Sequence, residues 1–393
     1  MPVLFQFMGG GNDWTSWVFF MIFWGIFFFF YPRLMLSQIM WKLERTTEQL
    51  ESMSARAKRF VTHEIDKNPD KKLNDSVERF FEFFVITPAS LDPYGIVKKM
   101  ELIVQNEKQR FDYFVDQVAP KMDKEKKANI EMGLAGGMEL HMLAKIVRHY
   151  VELIKQTKSY QIALIIQMQL PLVERMAKAL YEGTESLARG EPVGDGLGPL
   201  VAAKMMGKAN TREIAEDVSM ATMKVEGRTC YIMKSTGPGG RLGRPGKAVE
   251  KVVSRNKIAR IITIDAAAKL EGEKTGSIAE GVGVAMGGPG VEKSFIEDVA
   301  VKHGIPLDSI IVKMKPEEAI MPMRKAIKDA VPEAINTVKE AVRRAKPNQH
   351  VIIVGVGNTS GVGQGPKVFD QVSAWVEKNE KKLKRKKKKG EEV

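Results

Sequence analysis

Between Asp13 and Arg33 the chain carries no charge, and Trp17 to Phe30 is almost wholly aromatic or aliphatic. At 1.5 Å rise per residue, a helix of these roughly nineteen residues crosses a hydrocarbon core about 30 Å thick. Trp14 and Trp17 near one end, with Tyr31 and Trp41 near the other, suit the two interfacial belts. A cleaved signal peptide fits less well: there is no basic leading region and no small-residue cleavage site, and the apolar core is long and bulky. The stretch therefore predicts one N-terminal transmembrane helix over residues 14–36. Only Asp13 is charged before it, whereas Arg33, Lys42, Arg45, Arg56, Lys58 and Arg59 follow. The positive-inside tendency then sets a single-pass topology in the cell membrane, N-terminus outside and residues 33–393 in the cytosol.

Beyond the span, Leu43, Leu50, Met53, Ala57 and Phe60 recur at three-four spacing, which predicts a juxtamembrane amphipathic helix within residues 37–69. Asn68-Pro69-Asp70 breaks it. Residues 70–189 read as an α-helical domain. Val77, Phe80, Phe81, Phe84 and Val85 form one stripe, stopped by Pro88, and a second helix starts near Pro93. Two long helices follow, over about 124–155 and 160–187. The uncharged run Tyr160 to Val173 is too short to span and holds Gln161, Gln167 and Gln169, so it reads as a buried core helix. Gly133, Gly136 and Gly137 imply either close helix packing or a break.

At Gly190 the composition shifts. Glycine becomes frequent and short β-like runs alternate with helices, predicting an α/β domain with a mainly parallel sheet over residues 190–370. Strands are expected at Thr229–Lys234, up to Asp265, at Ser309–Met314 and at His350–Val356. A capping box at Asn210 to Glu213 predicts a helix between the first loop and the first strand. The single cysteine, Cys230, excludes an internal disulfide framework, fits a reducing compartment and sits in an apolar run as a core thiol.

The chemistry should gather where the strand Ile261–Ile264 ends on Asp265. After it come Glu271, Glu273, Lys274 and Glu280, then glycines that include Gly287 and Gly288. Acids and pliable backbone at the carboxyl end of a central strand are the makings of an α/β ligand site. The element KSTGPGGRLGRPGKAVEKV suggests a phosphate loop, but Gly240 and Gly246 are separated by five residues instead of four, and Ala248 stands where a metal-binding hydroxyl belongs. A nucleotide triphosphatase is excluded on that spacing. Arg241, Arg244 and Lys247 could still hold an anion at a helix N-terminus. Asn358, after the last strand, either contacts a substrate carbonyl or caps a turn.

The layout as a whole, with MELHMLAKIVRHYVELI, EPVGDGLGP and LEGEKTGSIAEGVG after the apolar segment, resembles an archaeal family of N-terminally membrane-anchored proteins of unassigned function. Locally, GDGLGP and IDAAAKLE are similar to pieces of the germination-protease and hydrogenase-maturation endopeptidase families. Those carry an acid before a GxGP turn and a second acid closing a strand. The resemblance implies a peptidase-like hydrolase with Asp195 and Asp265 in the two acidic positions. VGVGNTSGVGQGP, Gly355 to Pro366, resembles the strand-loop that opens those domains but lies at the other end of this chain. Two such carboxylates share a proton or hold a divalent ion that activates water. Glu273 is a reserve candidate for the catalytic pair.

Lys378 to Lys389 reads KNEKKLKRKKKK, and residues 371–393 are expected as a disordered basic tail. With a net charge of +13, the chain favours anionic partners: lipid headgroups or RNA and ribosomes through residues 378–389. Three functions stay open at this level: the hydrolase, a noncatalytic membrane scaffold that gathers RNA, ribosomes or proteins, and a small-ligand sensor without turnover.

Overall fold

In the computed structural model, residues 14–83, 95–285 and 290–388 are described. Expectations that fall on the remaining residues, including Phe84, Val85, Pro88, Pro93, Gly287 and Gly288, lie outside them.

Among the described residues five helices come first: α1 (Trp14–Ile65), α2 (Lys71–Phe80), α3 (Ile96–Val118), α4 (Lys124–Thr157) and α5 (Tyr160–Arg189). The apolar segment and the amphipathic segment are one unbroken helix, α1, which ends at the predicted Asn68-Pro69 break. Asp70 then caps α2, its carboxylate accepting from the Leu73 amide at 2.7 Å. The N-terminal part of α1 is long and apolar enough to cross a membrane.

The chain divides into two compact units. The first joins residues up to Ser52 with Leu143–Glu174. Its core is Ile39 and Leu43 of α1 against Val151, Ile154, Ala163 and Leu170. At its surface Arg148 donates to Glu44 at 2.8 Å and to Glu51 at 2.7 Å. The run from Tyr160 is buried on one face only: Ile165, Met168 and Leu172 stay exposed. That differs from the fully buried helix its composition suggested.

The second unit joins Met53–Met142 with Arg175–Val393. Within it, glycine settles the packing of α4. A Cβ at Gly133 would meet the Ala188 Cβ at 2.7 Å, one at Gly136 the Thr184 Oγ1 at 2.9 Å, and one at Gly137 the Phe81 ring at 2.7 Å. Close approach, not a break, is what these glycines serve.

The α/β part continues with α6 (Leu197–Met206), β1 (Arg212–Ala215), β2 (Val218–Val225), β3 (Arg228–Ser235), α7 (Pro245–Val253), β4 (Ile258–Ala268), β5 (Ile278–Val282), α8 (Val291–His303) and β6 (Leu307–Met314). It closes with α9 (Pro316–Ile320), α10 (Lys325–Asp329), α11 (Val331–Arg343), β7 (His350–Gly355) and α12 (Val368–Lys388). Among the described residues the strands form one seven-stranded sheet in the order β1-β2-β3-β7-β4-β6-β5. The four central strands are parallel, while β1, β2 and β5 run antiparallel at the edges. The sheet is therefore mixed where a mainly parallel one was expected. Ile262, Ile264, Val312 and Ile353 face α6, α11 and α12. Ile261, Ile352 and Val354 face α7 and α8 on the other side. Burial on both faces is why these strands read as continuous apolar runs.

Two departures have local causes. The helix expected from Asn210 is replaced by β1 and β2. Glu226 and Gly227 both adopt positive φ (51° and 75°), a two-residue turn whose twist lets β2 and β3 pair over their whole length. The capping-box signature lost to that hairpin. The basic run expected as coil continues α12 through Lys388, where Val372 and Val376 anchor the first turns in the core and lysines favour helix thereafter.

Candidate functional site

At the carboxyl ends of β3, β7 and β4, three glycine-bearing turns converge. The first is the single 3-10 turn Gly194–Gly196 leading into α6. A Cβ at Gly198 would run into the carbonyls of Val356 and Ile264, so only glycine lets α6 start directly above β7 and β4. Gly357, with φ at 128°, lies against the Asp195 backbone. These contacts bring the second turn, after β7, under the first. The third turn follows β3 and packs on the second: Thr359 Oγ1 donates to the Gly239 carbonyl at 2.8 Å, and the Gly361 amide donates to the Pro238 carbonyl at 2.9 Å.

In this setting Asp195 and Asp265, seventy residues apart in the chain, are both buried and near enough for the Asp195 charge to act on Asp265. The Asn358 amide donates to Asp195 Oδ2 at 2.7 Å, and the Ala266 amide donates to Asp265 Oδ1 at 2.7 Å. Among the described residues neither carboxylate has a cationic partner. Burial, and next the nearby Asp195 charge, push Asp265 up to about 8. Burial also raises Asp195, against the opposing effect of the Asn358 amide. Burial thus biases both carboxyls toward their protonated forms, and the Asp195 charge adds to that bias at Asp265.

Other candidates are engaged elsewhere. Glu273 pairs with Lys313 and accepts from the Leu270 amide at 2.7 Å; the Lys313 ammonium holds its carboxyl below the usual range. Glu280, on edge strand β5, pairs with Arg344. Lys274 is exposed. The structure does not gather these three with the aspartates. The α7 N-terminus is supplied with the protein's own acids: Glu292 accepts from the Gly246 amide at 2.7 Å and from Arg244 at 3.1 Å. Arg241 is buried against Glu125 at 2.7 Å, and Lys247 lies 3.2 Å from Glu101. Those cations are committed to internal carboxylates. Asn358 caps a turn, its Oδ1 accepting from the Ser360 amide at 2.9 Å, while its own amide orients Asp195.

Sequence reasoning passed over Lys234. Its side chain is wholly buried at the end of β3, donating to the carbonyls of Ser235 at 2.9 Å and Val362 at 3.4 Å. Desolvation lowers its ammonium to about 7. The signal was there: a lysine ending an apolar central strand, just before a glycine-rich turn. Glu125 and Asn129 of α4 were also missed; they accept from the Gly239 and Gly240 amides at 2.5 and 2.9 Å and seat the turn after β3. Nothing in α4 alone distinguishes them from solvated residues.

Fold and site together define a mixed α/β protein with two buried carboxyls, Asp195 and Asp265, on the carboxyl side of its central strands. Residues 17–190 match the N-terminal domain, and residues 193–363 the C-terminal domain, of the family described as protein of unknown function DUF1512. The chain belongs to that family. No curated protein and no solved structure matches it significantly.

Proposed function

We propose that the α/β domain is a hydrolase, peptidase-like in the bond it cleaves, tethered by α1 to the cytosolic face of the cell membrane. The observation that carries this reading is that Asp195 and Asp265 are both buried and electrostatically coupled, each with one backbone amide donor and, among the described residues, no cation. One of the two carboxyls, protonated, donates to the leaving group; the other, as carboxylate, takes a proton from the attacking water. Water adds to the carbonyl carbon, the scissile bond breaks, and the two protons balance. The local likeness to the germination-protease and hydrogenase-maturation endopeptidase motifs supports the same pair. A divalent ion bound here would take the two carboxylates as ligands and its remaining ligands from water or backbone. Charge asymmetry around the apolar segment supports the orientation.

The test is turnover by the full chain in detergent on a fluorogenic peptide and ester panel, beside Asp195→Asn and Asp265→Asn. Loss of at least ~100-fold in both variants is expected, the scale of removing a general acid or base. Unchanged turnover in either variant would refute the pair's role. A second reading, a noncatalytic membrane scaffold, draws on α12, whose Lys378, Lys381, Lys382, Lys384 and Arg385 continue a helix rooted in the core. Such a helix offers phosphates of RNA or lipid a row of cations.

A further inference from the structure

At the foot of the apolar segment, in the first compact unit, α1 and α5 enclose an open groove of about 610 Å³. Met35, Ile39, Trp41 and Leu164 give it apolar walls, with Lys42 and Gln167 among its polar groups. That volume is in the range of small-molecule sites. We propose that the groove is a lipid site that takes one anionic phospholipid of the cytoplasmic leaflet, its phosphate on Lys42 and an acyl chain along Ile39, Trp41 and Leu164. The inference rests on reading α1 as a membrane span.

Four observations fix the occupant. The groove starts at Met35, four residues beyond Tyr31 and on the same unbroken helix. At 1.5 Å per residue that is about 6 Å past the apolar run, within the headgroup layer. Lys42 is exposed, and among the described residues no carboxylate pairs with it. A free ammonium beside an apolar wall matches a phosphate beside an acyl chain. Trp41 is 67 % exposed, with the Arg45 guanidinium 5.6 Å from its ring, an amphipathic pair suited to the interface. Finally, the apolar surface continues outside the groove: Ile165, Met168 and Leu172 line one exposed face of α5. Water is a poor solvent for that face, and lipid at the same depth is a good one.

The experiment uses the full chain in nanodiscs of phosphatidylcholine, with or without phosphatidylglycerol. Nitroxide labels are attached at Ile165→Cys and Met168→Cys, with Phe27→Cys inside the apolar segment and Val301→Cys on exposed α8 as references. Collisions with oxygen and with a water-soluble nickel chelate are compared. Labels at 165 and 168 should show an oxygen-to-nickel ratio several-fold above that at 301, rising with phosphatidylglycerol, and Lys42→Glu should abolish the rise. Water-like values at 165 and 168 with a lipid-like value at 27 overturn the site and leave the span standing. Water-like values at all three overturn the span and the site with it. Exclusion of both reagents at 165 and 168 means protein covers the face, as in a second copy, and overturns the site too. A lipid-like ratio indifferent to phosphatidylglycerol and to Lys42→Glu overturns the assignment of the phosphate to Lys42.

Discussion

Asp265 and Lys234 are two buried ionisable groups whose costs run in opposite directions with pH. Asp265 keeps its proton to about 8 in the folded chain but loses it near 4 when unfolded. Its contribution is therefore fully favourable below pH 4 and is lost as pH rises towards 8. Asp265→Asn should remove that slope and raise stability at pH 8 by a few kcal/mol, read as a higher thermal midpoint at pH 8 with little change at pH 4. An equal shift at both pH values would show that the carboxyl titrates normally. Lys234 loses its proton near 7 in the fold and near 10.4 when unfolded, so stability rises with pH between those values. Lys234→Met should flatten this upper limb and stabilise most at pH 6–7, where the buried amine is charged. A midpoint that falls at pH 6 would mean the contacts to the Ser235 and Val362 carbonyls outweigh desolvation.

At the scale of elements, the apolar strands and the long helices were legible because each obeys one period. The run Ile261–Ile264 is in the sheet, and α4 and α5 begin and end within a few residues of their sequence signals. What was not legible depends on pairing. β1 and β5 are short edge strands with too few residues to show a period, β2 is held between β1 and β3, and β5 lies inside what reads as a glycine loop. The site divides the same way. Asp265 was legible as an acid near the end of an apolar strand, though β4 runs on to Ala268; its nearness to Asp195 required α6 to sit above β7, which Gly198 permits and no local pattern announces. Gly198→Ala should cost about 3 kcal/mol, the upper range for overpacking, because its methyl meets carbonyl oxygens that cannot yield. Chemical denaturation would show it as a lower midpoint. A loss under about 1 kcal/mol would mean the α6 start shifts freely, and with it Asp195.

For the whole molecule, the decisive question is which side of a membrane the two ends of α1 face, since both the proposed lipid groove and the proposed cytosolic hydrolase depend on it. The chain supplies its own silent background for the measurement. Cys230 is its one cysteine, fully buried in β3, with its thiol pushed up to about 11 by burial. A thiol that is neither accessible nor ionised reacts negligibly with maleimides. Asn12→Cys and Val301→Cys then report the two sides: Val301 is 83 % exposed on α8, and Asn12 precedes the apolar segment. In intact cells an impermeant maleimide should label Asn12→Cys and leave Val301→Cys untouched until the membrane is opened. The reverse pattern would invert the topology despite six basic residues between Arg33 and Arg59. That outcome would remove Lys42 from the anionic leaflet and the carboxylate pair from the cytosol in one step. Labelling of both positions without permeabilisation would mean that α1, for all its aromatic length, does not cross the bilayer.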